Sequence, residues 1–345
     1  MPNVTSLKTV APAQSGVASS SNSRLSTMSQ GIDALQITLD KWSAGAITHL
    51  PTGFRDIDLW LEDFLDQQRL IIIGGRPGMG KTSFAFQIVE NIARSGKNAV
   101  FLSLEMSGHQ LQMRNLNRIS GVSRKMLKNP HRMSDEERGG VQYAKDFLRG
   151  LPIAIGEGSF SIDEICREAK QYALALEAGG ERLDVICIDY LQFIGASDKA
   201  ANREQEIGEI SRKLKNLAKE LFIPVIVLAS LNRDCKSRVN KRPILEDLRE
   251  SGSIESDADV VLMLYRDEMY NPKSEDKGIA EVICVKNKDG ATGAQKLSWL
   301  GERFAFGDLG CERLVRSTEQ AHQPALKTKA EIRAEKMGLE VKHGS

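Results

Sequence analysis

The chain has 345 residues, 41% of them hydrophobic, and a formal net charge of +1. That length accommodates two average domains or one large α/β domain with tails, and the apolar content excludes wholesale disorder. A charge so near zero excludes arguing for a nucleic-acid partner from global basicity; only local clusters of cations can make that case.

Residues 1–30 are rich in Ser, Ala and Thr and contain no acid. They read as a flexible tail; the alternative, a mitochondrial transit peptide, has only Lys8 and Arg24 to support it. In the next segment, 31–48, Leu35, Leu39 and Trp42 share one helical face. A lone helix of this length is marginal in water, so it is expected to dock on its own domain or on a neighbouring subunit.

From Leu70 to Phe306 apolar runs alternate with helix-length segments. The runs Leu70–Ile73, Ala99–Leu104, Val185–Ile188, Pro224–Leu228, Val260–Leu264 and Ala280–Val285 predict strands of a mostly parallel sheet covered by helices on both faces. Ser134 with Glu137 and Ser161 with Glu164 have capping-box spacing and mark two helix starts. The five cysteines (Cys166, Cys187, Cys235, Cys284, Cys311) form no CxxC pair. Cys187 and Cys284 lie inside apolar runs and read as small buried hydrophobes, which suits a reducing cytoplasm better than a disulfide framework or a structural zinc. No stretch has the length of a membrane span. Beyond Leu309 the pattern fades into a charged tail, 310–345.

The chemistry starts at Gly75-Arg-Pro-Gly-Met-Gly80-Lys81-Thr82, between the first strand and the helical run Ser83–Ile92. This is the full G-x-x-x-x-G-K-[ST] pattern in its strand–loop–helix setting. Glycines let backbone N–H groups face phosphate oxygens, and the helix N-terminus adds positive potential. Lys81 would reach the β- and γ-phosphates of ATP, and Thr82 would ligate Mg²⁺. Asp189 ends the buried strand Val185–Ile188 at the edge where open α/β sheets bind ligands, and reads as a metal-holding acid. Glu105 ends the strand after the phosphate loop; it is either the base that deprotonates the attacking water or a solvated strand-end acid. Arg233, Lys236, Arg238, Lys241 and Arg242 crowd one loop, with Asp234 as its only acid. Such a loop either neutralises nucleic-acid phosphates or is a solvated charged segment.

Several stretches resemble the motor domain of the DnaB-type replicative helicases. They include Pro51-Thr-Gly-Phe54, Arg76-Pro-Gly-Met-Gly-Lys-Thr82, Ser103-Leu-Glu-Met106, Ile188-Asp-Tyr-Leu-Gln192, Asn202-Arg-Glu-Gln-Glu206 and Arg242-Pro-Ile-Leu-Glu-Asp-Leu-Arg-Glu-Ser-Gly252. The series continues through Asp257-Ala-Asp259, Tyr265-Arg-Asp-Glu268 and Glu275-Asp-Lys-Gly-Ile279, collinear from about residue 50 to 306. The resemblance implies a RecA-like P-loop ATPase domain at 49–309, preceded by a linker helix. It implies assembly, usually as a hexamer, around single-stranded DNA, with 5′–3′ movement and a primase or helicase loader as partner. Gly78, Gly80, Lys81, Thr82 and Ser83 match the family's phosphate loop, Glu105 its catalytic glutamate, Asp189 its metal-site acid and Arg114 a nucleotide-contacting arginine. Arg249, Glu250 and Gly252 match its DNA-touching loop, with Arg233 and Lys241 as further DNA-binding candidates. Lys286 and Lys288 match a hairpin that enters the neighbouring subunit's ATP site.

Three departures stand out. The family's N-terminal helical domain has no counterpart before the linker segment, as in a compact phage, plasmid or organellar variant. Ser230 replaces a sensor glutamine on the nucleotide-binding edge. Lys288 replaces an arginine finger, keeping the charge but losing the planar fork. The resemblance therefore implies an ATP-dependent DNA helicase, while two alternatives stay open: a RecA-like recombinase or clamp-type ATPase that does not unwind, and a weakly hydrolysing ATP- and DNA-binding loading platform.

Overall fold

A computed structural model of the chain describes residues 27–43, 50–61, 64–195, 203–232, 238–248 and 251–309. The chain divides into two units between Thr48 and His49. In the first, helix α1 (Met28–Ser43) begins three residues before the expected start at Gly31. It presents Ile32, Leu35, Ile37 and Leu39 as exposed apolar side chains; the Trp42 side chain lies outside the described residues.

The second unit opens with α2 (Arg55–Trp60) and β1 (Leu70–Gly75), followed by α3 (Lys81–Arg94) and β2 (Asn98–Ser103). Next come α4 (Gly108–Ser120), α5 (Arg124–Leu127), α6 (Asp135–Arg149), β3 (Ile153–Glu157), α7 (Ile162–Ala178), β4 (Leu183–Asp189), α8 (Arg203–Leu221) and β5 (Val225–Ser230). Then α9 (Ser251–Asp257) leads into β6 (Val260–Tyr265), β7 (Ile279–Asn287), β8 (Gly293–Leu300) and β9 (Ala305–Asp308). These nine strands form one sheet in the order β3-β2-β4-β5-β1-β6-β7-β8-β9. β3 through β6 in that order run parallel, and β7, β8 and β9 extend the sheet antiparallel.

The period of two along a strand explains why the central runs are apolar throughout. In β1, Ile71 and Ile73 join the core on one face and Leu70 and Ile72 the core on the other. Helix α3 covers the first face with Phe84, Ile88, Val89 and Ile92, stacked among Phe54, Phe101 and Phe306. Helices α7 and α8 cover the second with Ile165, Ala169, Ile207, Ile210 and Leu214. Each fully buried Ile or Leu contributes about 1.5–3 kcal/mol, so the two faces together fix the sheet. Cys187 and Cys284 are buried in the first core, as their apolar surroundings predict.

Both expected capping boxes are formed: Ser134 with Glu137 and Ser161 with Glu164. A third, Ser107 with Gln110, starts α4 just beyond Glu105. All six expected strands are present. β3, β8 and β9 go beyond the expected set, and each has a physical reason. β3 is a half-buried edge strand, β8 is largely exposed over its first half and buried only from Leu297 to Trp299, and β9 is four residues long. Among the described residues no helix is long and apolar enough to cross a membrane.

Candidate nucleotide site

The parallel register brings the C-terminal ends of β1, β5, β4 and β2 to one edge, where Gly75 lies opposite Ser230 and Ser103 opposite Asp189. The loop that follows β1 turns through Gly78 at φ 84° and Gly80 at φ 98° before α3 begins at Lys81. Gly80 is doubly constrained. An L-residue rarely adopts that φ, and a Cβ there would lie 2.8 Å from Phe306 Cζ and 3.2 Å from Trp299 Cζ3. Gly80→Ala should therefore weaken nucleotide binding by about tenfold or more, measured by titration with a fluorescent ATP analogue; undiminished affinity would contradict this account of the loop.

The loop is braced from several directions. Lys81 Nζ donates to the Gly75 carbonyl at 2.7 Å, holding the ammonium over the cradle. Burial pushes the Lys81 pKa down, against the pull of Asp189 and Glu105, which favour its charged form. Arg266 on the far side donates Nη1 to the Gly78 carbonyl at 2.9 Å, pairs with Glu268, and stacks over Trp299 at 4.6 Å. Arg266 lies in the Tyr265–Glu268 stretch, but nothing in its spacing reveals that it braces a loop 188 residues earlier.

Asp189 is 1% exposed. Its Oδ2 accepts from Thr82 Oγ1 at 2.7 Å, while its Oδ1 is buried with no hydrogen-bond partner. Burial, with the Glu105 carboxylate beside it, raises its pKa from 3.8 to about 6 despite the Thr82 hydrogen bond. Because the folded pKa lies above the unfolded one, the stability given by the neutral acid is present below 3.8 and lost as the pH rises through about 6. Ionised Asp189 thus costs the fold on the order of 3 kcal/mol above that pH. Asp189→Asn should raise the melting temperature of the nucleotide-free chain at about pH 7.5, with the gain shrinking as the pH falls through about 6. Scanning fluorimetry at several pH values checks this, and an unchanged melting temperature near neutral pH would count against it.

An orphaned carboxylate oxygen beside a threonine hydroxyl suits a divalent cation. Among the described residues no group of three or more His, Cys, Asp and Glu side chains forms a metal site. Thr82 and Asp189 offer two oxygen ligands, and waters and the phosphates of a nucleotide would have to supply the rest of a magnesium ion's shell.

Lys81, Thr82, Ser83, Glu105, Arg114 and Ser230 line a cleft of about 290 Å³ together with Gly78, Gly80, Tyr190, Trp299 and Phe304. Arg114 stacks over Phe304 at 5.3 Å, and burial followed by the nearby Arg124 disfavours its charge. An added polyphosphate would relieve that. The aromatic members Trp299 and Phe304 escape sequence reading because they come from β8 and the turn after it, far along the chain.

Lys286 and Lys288 lie elsewhere. Asn287 pairs with Val260 at the start of β6, the sheet edge opposite the chain's own phosphate loop. With about 3.3 Å per residue, the length of β6 puts the hairpin tip well beyond reach of that loop. There Lys288 Nζ meets Asp259 Oδ1 at 3.0 Å, and Lys286 Nζ donates to the Ala258 carbonyl at 2.8 Å. Burial disfavours the charge on Asp259, but Lys215, the Leu70 amide and Lys288 outweigh it and hold the carboxyl below its ordinary range.

Of the expected DNA-binding residues, Gly252 is exposed on α9 and Lys241 packs 6.0 Å from the Tyr270 ring. Arg233, Arg249 and Glu250, and with them Asp234 and Lys236, lie outside the described residues. Two cations counted in the basic loop are neutralised internally: Arg238 pairs with Asp247, and Arg242 grips Glu281 with Nε and Nη2 at 2.6 Å each. The loop is less basic than its composition.

The model of the DnaB-like helicase C terminal domain family matches residues 49–308. The chain is 41% identical over 271 residues to the replicative DNA helicase DnaB of Geobacillus stearothermophilus, covering 77% of this chain and 58% of that protein. It is 40% identical over 271 residues to the replicative DNA helicase DnaC of Bacillus subtilis, with the same coverage of 77% and 58%. The chain thus spans less than two thirds of the length of these relatives. Among solved structures, the ATPase domain of another protein superposes with a TM-score of 0.75 at 32% identity, covering 81% of this chain and 98% of that one. A DnaB-like replicative helicase, studied with its primase interactions, superposes with a TM-score of 0.73 at 31% identity, covering 80% and 66%. Fold, phosphate loop and sequence agree over the same residues, and the chain belongs to the DnaB-like helicase C-terminal domain family.

Proposed function

We propose that this chain is the motor of a replicative DNA helicase, working in the cytoplasm as a ring, that couples ATP hydrolysis to 5′–3′ translocation on single-stranded DNA and to duplex unwinding. In this reading the backbone of Gly78, Gly80 and Ser83 and the Lys81 ammonium cradle the phosphates, and Arg114 and Ser230 contact the nucleotide. Thr82 and Asp189 hold Mg²⁺, which when bound neutralises charge on the β- and γ-phosphates. Glu105 takes a proton from water as its oxygen attacks the γ-phosphorus and the bond to the β–γ bridging oxygen breaks. Lys286 and Lys288 of a neighbouring copy stabilise the charge that develops on the transferred group. Arg233, Lys241, Arg249, Glu250 and Gly252 face the DNA, and a primase or helicase loader is the partner expected of such a ring.

The observation that supports this reading most directly is the placement of Lys288 at the sheet edge opposite its own cleft. A group so placed is out of reach of its own cleft, so the role assigned to it here requires a second chain. Native mass spectrometry of the ATP-analogue-bound chain, paired with a forked-duplex unwinding assay, tests this. A hexamer that unwinds is the expected result; a monomer that hydrolyses ATP at full rate would overturn it.

A further inference from the structure

Both halves of the nucleotide site grip the same three residues at the end of β5. From the phosphate loop, Arg76 Nη1 donates to the carbonyls of Leu231 and Asn232, at 3.3 and 3.1 Å. From the segment after Asp189, the Gln192 side chain pairs with the Ser230 backbone in both directions. Its Oε1 accepts the Ser230 N–H at 3.1 Å, and its Nε2 donates to the Ser230 carbonyl at 3.4 Å. Gln192 is itself tied to the first residue of α8, where Arg203 Nη2 donates to its carbonyl at 2.9 Å.

The opposite side of this stub is fastened to residues 246–248. Leu231 and Leu248 form an antiparallel bridge. The Asn232 N–H donates to the Asp247 carbonyl at 2.8 Å, and its side-chain amide to the Glu246 carbonyl at 3.3 Å. Ser230–Asn232 and 246–248 are thus joined by backbone and side-chain hydrogen bonds, and 246–248 lies a few residues before Gly252 in the chain. Physical continuity of this kind is necessary for coupling but not sufficient; a group must also interact differently in two states. Arg76 meets that condition. It is a cation in the phosphate loop, close enough to Lys81 to disfavour that side chain's charge. Its guanidinium donates to two carbonyls of the stub, and a polyphosphate bound at the loop would compete for the same donors.

We infer that Arg76 and Gln192 are positioning residues that couple occupancy of the phosphate site to the 246–248 edge. They supply a link at Ser230, a side chain too short to make it itself. The inference rests on the proposal that the residues beyond Leu248 face single-stranded DNA. Coupling between two ligands is reciprocal, so each should change the other's affinity by the same factor.

The experiment measures binding of a fluorescein-labelled oligothymidylate to the full chain, with and without ATPγS and Mg²⁺. The converse arm measures ATPγS binding with and without the oligonucleotide. The unsubstituted chain should show a coupling factor of about 5–150-fold, equal in both directions. Arg76→Ala and Gln192→Ala should each bring the factor to within about twofold of unity, and Arg76→Lys, with the charge but no fork, should fall between. A strut that only stabilised the fold would change the melting temperature and leave this factor alone. Should Arg76→Ala not fold by circular dichroism, Gln192→Ala decides alone, because it lies outside the phosphate loop. Coupling retained in folded variants overturns the inference and leaves the DNA reading standing. A coupling factor of one in an unsubstituted chain that binds the oligonucleotide does the same. No oligonucleotide binding at all overturns both.

Discussion

Glu105→Gln should lower ATP turnover by about 10²–10⁴-fold while the nucleotide still binds, the range lost when a general base is removed. Glu105 follows β2 and lines the same cleft as the phosphate loop. Glutamine keeps its size and hydrogen-bonding reach but cannot accept a proton from water. A second consequence separates this role from a packing defect. Glu105 is one of the groups that raise the Asp189 pKa, so removing its charge should move the acid limb of metal-dependent nucleotide binding to lower pH. Single-turnover hydrolysis and nucleotide titration across pH measure both. Turnover close to that of the unsubstituted chain would remove Glu105 from the mechanism.

Lys288→Ala comes next in expected size, with DNA-stimulated turnover falling by about 10²-fold or more. An in-trans arginine can be worth about 10³–10⁵, and a lysine, lacking the bidentate fork, supplies a part of that. The decisive version mixes two defective chains. Lys288→Ala has an intact cleft and no finger, whereas Lys81→Ala has an intact finger and a damaged cleft. If Lys288 acts across an interface as proposed, a mixed assembly would set the good cleft of one chain beside the good finger of the other, and turnover should reappear on mixing. If neither chain rescues the other, Lys288 does not act across an interface. Lys288→Arg should raise turnover, provided the longer side chain keeps its pairing with Asp259.

The central strands were legible because a strand buried on both faces has no polar positions to blur the signal; Leu70–Ile73 and Val185–Ile188 are uninterrupted for that reason. β8 gave no such signal because its outward residues, Ala294 and Lys296 among them, face solvent. The phosphate loop and Asp189 were legible because their chemistry is local: glycines, a lysine and an acid next to strand ends. Arg76, Gln192 and Arg266 were not. Each acts by hydrogen-bonding a backbone carbonyl or amide brought close only by the sheet, and nothing in their neighbours records the partner. Charge counting failed in the opposite direction, since Arg238 and Arg242 look available in sequence and are held by Asp247 and Glu281 in the fold.

The hairpin β8–β9 carries Phe306 beneath Gly80 and places the Asp308 carboxylate at the start of α2, where it accepts the Arg55 and Asp56 amides. The floor of the phosphate cradle is thus supplied more than two hundred residues after its glycines. During synthesis, Gly75–Thr82 leaves the ribosome long before the ring that supports it. A nascent chain halted before β9 should be unable to retain ATP even with every cradle residue present, and affinity should emerge abruptly once Asp308 clears the exit tunnel. On that outcome, nucleotide binding would report that translation of the domain has finished.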